Sequence, residues 1–576
     1  MVRNSFMKSF FFGEIREEMI FPYPQFSSEA SETVRMVLDA VQKFSKDNVK
    51  SAEWDEAGEM PREILRQTAE LGLMGLAVPE EYGGLGFKQN AYARIFQDLA
   101  GIDASLAVTL GAHQSIGYKA LLLFGSDEQK KRFLPRLASG ELVACYCLTE
   151  PSSGSDAASI KTRATLSADG RYYTITGNKL WITNGGIAGF MTVFAKTEIE
   201  HEGQKSEKVT CFALELPAEG VTVGPPEDKL GIRASWTNAV HFDQVKVPVE
   251  NIIGGVGQGF KVAMGVLNHG RMGLAAGSVG AAQKMIEASI THANERVQFK
   301  KKIGEFGMVK EKIGRVMANI FAAESMVYMT TALMDRKDID YSIESAIAKV
   351  FASEMLWEAV DENVQIWAGL GFMKEYPYER ALRDARINRI FEGTNEILRA
   401  FIGLSGMQGP GQELAGLADA IKYPLKGLGP VSDFAIRKIK QRVIGQTITS
   451  SHPALKNLAA VLEEYAVQFA NNVEVLIRRH GKNLHLMQLA QKRIADIAID
   501  CYGMACVLSR VTQHIQTRGL EACELEVALA NIFFHRANRR IRSNFKAIDK
   551  NDDDYIKFVA EKSYELGSYP FDILKG

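Results

Sequence analysis

Apolar residues recur at helical spacing from about Glu29 to Ala144, with Gly and Pro punctuation at Val78-Pro79-Glu80-Glu81-Tyr82-Gly83-Gly84, which predicts a first helical region. The period then changes. From Cys145 to about Ile253 short β-rich runs alternate with polar or Gly-containing turns: Tyr172-Tyr173-Thr174-Ile175-Thr176, Met191-Thr192-Val193-Phe194 and Val209-Thr210-Cys211-Phe212-Ala213-Leu214. These predict a compact antiparallel β-domain. Helical spacing returns in Ile313, Val316, Met317, Ile320, Phe321 and in Ile343, Ala346, Ile347, Val350, Phe351, each set at i, i+3, i+4, i+7, i+8, as expected of a helical bundle. Beyond Met407 the pattern predicts a Gly/Pro-rich linker, and helical spacing resumes near Leu455. The expected class is mainly α with a central β-domain. Its divisions are an N-terminal segment (1–28), a helical domain (29–144), a β-domain (145–262), a bundle (263–406) and an added linker and helical domain (407–576).

Composition permits that division, since 576 residues with 46% hydrophobic content can bury three or four cores. Lys+Arg 68 against Asp+Glu 69 leaves no basic excess, so nucleic acid is not an expected partner. The six cysteines include no C-x-x-C pair, which fits packing residues in a reducing compartment and no metal site. Met1 to Phe12 has too short an apolar run for a secretory signal, and no uninterrupted apolar stretch reaches the 18 or so residues of a membrane span. A cytoplasmic protein is expected, soluble or peripheral to a membrane.

The heptad Arg389-Ile390-Phe391-Glu392-Gly393-Thr394-Asn395 places one carboxylate among apolar neighbours, before a Gly-Thr break and the helix-like run Glu396-Ile397-Leu398-Arg399. Apolar surroundings disfavour a charged carboxylate and raise its pKa, as a general base working near neutral pH requires. A lone Glu near a helix N-terminus also simply complements the dipole. Upstream, Leu148-Thr149-Glu150-Pro151-Ser152-Ser153-Gly154-Ser155-Asp156 and Trp181-Ile182-Thr183-Asn184-Gly185-Gly186 bracket a strand-like stretch.

With these motifs in this order, the chain resembles the acyl-CoA dehydrogenases from about Phe10 to at least Gly403. Ser9 to Gly13, Phe21-Pro22-Tyr23-Pro24, Gly111 to Gly117 and Arg389 to Leu398 look most like the very-long-chain branch, as does the C-terminal extension. The resemblance implies FAD as cofactor, and no G-x-G-x-x-G fingerprint argues for a Rossmann fold instead. It implies that Leu148 and Thr149 face the flavin pyrimidine, Gly154 and Ser155 the pyrophosphate and the entering CoA ester, and Trp181 and Thr183 the other side of the ring, with Thr394 and Glu396 also toward the cofactor. Arg296, Gln298, Phe299, Gln365, Ala368 and Gly369 match residues that hold FAD from a neighbouring subunit, so a homo-oligomer, a dimer by preference, is implied. Relatives usually carry Gly where this chain has Lys300.

By the same resemblance Glu392 is the base for α,β-desaturation of long or very long acyl-CoA. The backbone N–H of Glu392 and a ribityl hydroxyl of FAD serve the thioester oxygen, and electron-transfer flavoprotein is the acceptor. Some relatives carry the base at a position that falls on Gly270, which has no side chain to do it. An acyl-CoA oxidase and a respiratory-complex assembly factor share the resemblance. Arg271 pairs either with CoA or with a carboxylate at the surface. Ala107 and Gly111 are small and four apart, hence on one helix face, and suit either an acyl channel or close helix packing. In Ile421 to Gly445, Lys422, Lys426, Arg437, Lys438, Lys440 and Arg442 are interleaved with apolar residues against only Asp433, a pattern of either a membrane-surface segment or a solvated linker.

Overall fold

A computed structural model describes residues 4–336, 338–422 and 447–574. The basic run 421–445 lies, beyond Lys422, outside the described residues. The N-terminal region is helical, with the helices Ser28–Asn48, Gln89–Ile102, Ala104–Gly111 and Asp127–Ala138 around a core that includes Trp54, Ile95, Phe96 and Leu110. Ser126 and Gln129 close a reciprocal capping box at the start of the last of these, satisfying donors that the first turn would otherwise leave open.

The sheet follows: β1 (Ala144–Cys147), β2 (Arg163–Leu166), β3 (Tyr172–Thr183), β4 (Phe190–His201), β5 (Gln204–Glu215), β6 (Val221–Pro226), β7 (Thr237–Pro248) and β8 (Ile252–Ile253). Their order is β6-β7-β3-β2-β4-β5-β8. The expectation of a purely antiparallel sheet fails at two contacts. β1 runs parallel to β4, Ala144 opposite Phe190 and Cys147 opposite Val193, and β2 meets β4 in parallel at Arg163 and Lys196. β1 enters from the helical region and not through a hairpin, so it is not bound to the antiparallel sense that a tight turn imposes.

Helices Gly259–Glu295, Gly307–Met334 and Ser342–Trp367 form the bundle, and the extension adds Lys456–His480, Gln488–Arg518 and Glu524–Asp549, all joined in one apolar core. Of the described helices, Gly307–Met334 alone is long and apolar enough to cross a membrane, and 72% of its most apolar window is buried within the fold. The six cysteines are free and buried.

As far as Lys422, the linker expected from Met407 is a helix. Asn395–Lys422 continues through Pro410, and Gly409, like Gly406 just before the expected linker, is a close-packing site. A Cβ on Gly406 would lie 2.1 Å from Phe11 Cζ, and one on Gly409 would lie 2.9 Å from Phe12 Cζ. The N-terminal segment therefore seats its aromatic rings on the helix at those points. Phe11 also meets Phe469 of the extension edge-on at 4.8 Å, so the segment 6–12 joins the bundle to the extension.

Candidate active site

The chain reaches Glu392 through a short 3-10 turn, Arg386–Arg389, and leaves it through a helix that begins at Asn395. Between them Glu392 (φ 58) and Gly393 (φ 93) are both left-handed, a conformation that costs a residue with a Cβ about 1–2 kcal/mol. Several contacts hold it. Thr394 Oγ1 accepts from Ile397 N at 3.3 Å as a helix cap. Lys349 Nζ, fully buried, donates to Gly393 O and Asn395 Oδ1, both at 2.8 Å, and Arg271 Nε donates to Glu392 O at 3.4 Å.

The Glu392 carboxylate points inward, and its Oε2 is buried without a hydrogen-bond partner. Burial pushes its pKa up to about 7, against the opposing pull of Arg271 and Lys349. Lys349 is itself pushed down to about 7 by desolvation. A Cβ on Gly270 would sit 2.6 Å from Glu392 Oε2, so a side chain at 270 and the carboxylate of 392 exclude one another in this arrangement. Arg271 is not in a surface ion pair. It is 7% exposed, lies over the Phe401 ring at 5.7 Å and donates to Asn268 Oδ1 at 2.8 Å, and desolvation lowers its pKa to about 10.

Two cavities meet at this carboxylate. One, about 450 Å³, is lined by Leu148, Thr149, Gly154, Ser155, Trp181, Thr183, Arg271 and Glu392. Its walls are pinned from behind. Glu150, inside the first motif, pairs with buried Lys179 at 2.7 Å and accepts from Thr162 N at 3.0 Å, and Leu180 N donates to Thr149 O at 3.0 Å, tying that motif to β3. Trp181 is 62% exposed with φ 56, so its indole is held out of the core and against the cavity. A Cβ on Gly154 would meet nothing within 4 Å. An exposed indole and an open glycine turn fit a flat heteroaromatic ring carrying phosphates, as FAD is.

The second cavity, about 120 Å³, shares Ile116, Thr183, Phe391 and Glu392 with the first and runs between Ala107 and Gly111 on one side and Gly273, Gly277 and Ala281 of helix 259–295 on the other. Apart from Glu392 and a few hydroxyl- and amide-bearing side chains, its walls are apolar, so it suits an alkyl chain.

Arg296, Gln298, Phe299, Gln365, Ala368 and Gly369 enter neither cavity and are exposed. They do share one end of the bundle, because His292 stacks on Trp367 at 4.0 Å and brings the ends of helices 259–295 and 342–367 together. Phe299 and Lys300 form the two-residue turn of a hairpin, Val297–Gln298 against Lys301–Lys302, both with positive φ, which explains a preference for Gly at the second turn position. Lys300 is exposed. Glu396 is exposed in the first turn of its helix and lines neither cavity.

Sequence reasoning missed Lys349, Asn395 and the Glu150–Lys179 pair. The signal available for Lys349 was a cation inside the apolar run Ala346-Ile347-Ala348-Lys349-Val350, where a charge without a task is rare.

Family models match in sequence order: acyl-CoA dehydrogenase N-terminal domain over residues 31–141, middle domain over 145–245 and C-terminal domain over 257–406. A further model, ACAD9/ACADV C-terminal domain, matches 453–568. The very long-chain specific acyl-CoA dehydrogenase of Rattus norvegicus mitochondria is 43% identical over 95% of this chain and 85% of its own. A probable acyl-CoA dehydrogenase of Bacillus subtilis is 38% identical over 84% and 81%. Among solved structures, an acyl-CoA dehydrogenase complexed with FAD from Bacillus anthracis aligns over 98% of this chain and 96% of its own, with TM-score 0.80 and 33% identity. Butyryl-CoA dehydrogenase from Megasphaera elsdenii, 34% identical with TM-score 0.62, covers 66% of this chain and 98% of its own.

Proposed function

Because the chain belongs to the acyl-CoA dehydrogenase family, we propose that it is an FAD-dependent acyl-CoA dehydrogenase that desaturates long or very long acyl-CoA to trans-2-enoyl-CoA in β-oxidation. The observation that carries the reading is the Glu392 carboxylate, buried, unpartnered and set where a cleft suited to a flavin meets a channel suited to an alkyl chain.

Glu392 takes the proton from C2 of the thioester. Its raised pKa makes it basic enough to receive that proton, and the unpartnered Oε2 leaves a lone pair free to do so. Bound in the cleft, FAD would supply the acceptor for the hydride that leaves C3. Leu148, Thr149, Gly154, Ser155, Trp181 and Thr183 hold the cofactor's inner half, Ser155 and Arg271 lie where the CoA ester enters, and Ala107 and Gly111 flank the acyl chain. The backbone N–H of Glu392 serves the thioester oxygen, and Arg271 with Lys349 fixes the two carbonyls of the loop so that this N–H is already oriented.

Arg296, Gln298, Phe299, Gln365, Ala368 and Gly369 hold the cofactor's outer half from a second copy, which makes the working unit at least a dimer, and electron-transfer flavoprotein takes the electrons. We assign the protein to a soluble cytoplasmic pool with peripheral lipid contact through the basic run 421–445, on composition alone; sedimentation with anionic vesicles that salt fails to weaken removes that last point.

Purified protein should carry a yellow flavin spectrum that palmitoyl-CoA bleaches without oxygen. No bound flavin, or a flavin that no acyl-CoA reduces, overturns the proposal. Rapid reoxidation by oxygen in the presence of product would favour an oxidase instead.

A further inference from the structure

Glu392 stands in a conformation that its own chain disfavours, so something outside the loop keeps it there. The retaining contacts continue well past Lys349. Asn395, whose Oδ1 receives Lys349 Nζ, donates from Nδ2 to Ser353 Oγ at 3.0 Å and to Glu354 Oε1 at 3.1 Å. Glu354 is gripped by Arg399 in a bidentate pair, Nη1 to Oε1 at 2.7 Å and Nη2 to Oε2 at 2.9 Å. The third nitrogen of that guanidinium, Nε, is 2.7 Å from Asp496 Oδ1. Asp496 belongs to helix Gln488–Arg518 of the C-terminal extension.

We propose that Asp496 is a positioning residue for the catalytic loop, so that the extension takes part in holding Glu392 in place by way of Arg399, Glu354, Asn395 and Lys349. The inference rests on the base role proposed for Glu392. Arg399 is planar and uses its whole fork, two donors on Glu354 and one on Asp496, so its plane is fixed only while both carboxylates are present. Loss of the second lets it swing, and Glu354 then no longer offers Oε1 to Asn395 at the same place. Asn395 opens the helix that follows the loop, and its Oδ1 shares one ammonium group with Gly393 O. A shift there therefore moves the left-handed pair 392–393 directly. Asp496 has further cationic neighbours, Lys492 at 3.7 Å, exposed and on its own helix, and Arg540, which lines the same cavity and feels its charge.

The same helix supplies a control one turn away. Asp500 is more deeply buried and pairs with Arg540 at 3.0 Å; both belong to the extension and line one cavity with Arg399 and Asp496, whose charges they feel, but neither hydrogen-bonds to the network that leads to the loop. Asp496→Asn and Asp500→Asn remove the same charge from neighbouring turns, and the second should cost more stability because Asp500 is the more deeply buried of the two carboxylates.

In the FAD-loaded protein, Asp496→Asn should speed amide hydrogen exchange across 391–395 and slow anaerobic flavin reduction by palmitoyl-CoA about tenfold with substrate affinity little changed. Asp496→Glu should restore part of the rate, and Asp500→Asn should leave exchange and rate in the loop as they were. Should Asp496→Asn fail to fold, Arg399→Lys, which keeps a cation but cannot bridge both carboxylates, carries the same expectation. Unchanged exchange across 391–395 in the variant that folds, or equal effects of the 496 and 500 substitutions, overturns the proposal. Faster exchange with an unaltered rate also overturns the positioning role, whereas near wild-type flavin reduction in Glu392→Gln would remove the base reading on which it rests.

Discussion

The two halves of the proposed cofactor site differ in kind. The inner half is complete within one chain: Leu148, Thr149, Gly154, Ser155, Trp181 and Thr183 converge on one cavity with Glu392, and each wall is backed by buried pairs such as Glu150–Lys179. The outer half, Arg296 to Phe299 with Gln365 to Gly369, is gathered at one end of the bundle and then faces outward, with Phe299 88% exposed. A ring that size standing in water loses the stabilisation that burial would give it. The contrast teaches that chemistry and cofactor retention are separable here. The first should fail through the inner half in a single chain, the second through the outer half in the assembly.

The largest effect expected is on the inner side. Glu392→Gln should retain FAD and the fold while flavin reduction falls by about 10²- to 10⁴-fold, because the amide cannot accept the α-proton. Near wild-type bleaching by this variant would place the base elsewhere. In the wild type the reduction rate should fall as pH drops below about 7, the value to which burial lifts this carboxyl.

Stability carries the same group with the opposite sense. The folded pKa of Glu392 is raised, so between about 4.5 and 7 the native state keeps a proton that the unfolded chain has released, and stability declines as pH rises through that window. The decline should amount to about 3 kcal/mol, taking 1.36 kcal/mol per pKa unit. Glu392→Gln should therefore gain on the wild type at pH 8 relative to pH 4.5, in denaturant titrations of the cofactor-free protein. An identical difference at both pH values would mean that the carboxyl is not desolvated.

On the outer side, Phe299→Ala should weaken FAD retention by about 10- to 100-fold, or 1.4–2.7 kcal/mol, while any flavin that remains bound is reduced at the wild-type rate. Dilution of the wild type should release FAD as the oligomer dissociates. Undiminished retention in both experiments would assign the whole cofactor to the inner cavity and dissolve the comparison. Smaller again, Gly111→Gln should cut the preference for long over medium acyl chains by roughly tenfold, since one extra methylene's worth of misfit in an apolar pocket already costs 1–3 kcal/mol. Its Cβ would lie 3.2 Å from Phe96 Cε1, so Phe96 has to give way and a melting curve must accompany the assay.

What the sequence made legible follows the same division. Helix and strand periods located the helical, β and helical regions because each element presents one face to a core, and a period survives in the residues themselves. Glu392 was legible through its neighbours: apolar Ile390 and Phe391 before it, a glycine after. Gly409 and Pro410 misled, since a glycine that admits an aromatic ring at close range reads the same as a glycine that breaks a helix. Asp496 and Arg399 were invisible for a related reason, as a charge that reaches a buried partner across two domains is written like any surface charge. The outer half emerged only from resemblance. Exposed residues awaiting a second copy obey no period that one chain's core imposes.

The smallest effect tests that last point at Lys300. Phe299 and Lys300 both have positive φ in a two-residue hairpin turn, the geometry for which glycine is preferred at the second position. A lysine there bears the left-handed penalty of about 1–2 kcal/mol, and replacing it by glycine returns part of that while adding conformational freedom to the unfolded chain, worth about 0.5–1 kcal/mol in the other direction. Lys300→Gly should thus stabilise the fold by only about 0.5 kcal/mol, read as a shift in denaturant midpoint at unchanged slope. Because Lys300 is not among the six residues assigned to the outer half, FAD retention should not change. A clear fall in retention at equal stability would show that the Lys300 side chain itself reaches the cofactor of the neighbouring copy, and the outer half would then be larger than the six residues assigned to it.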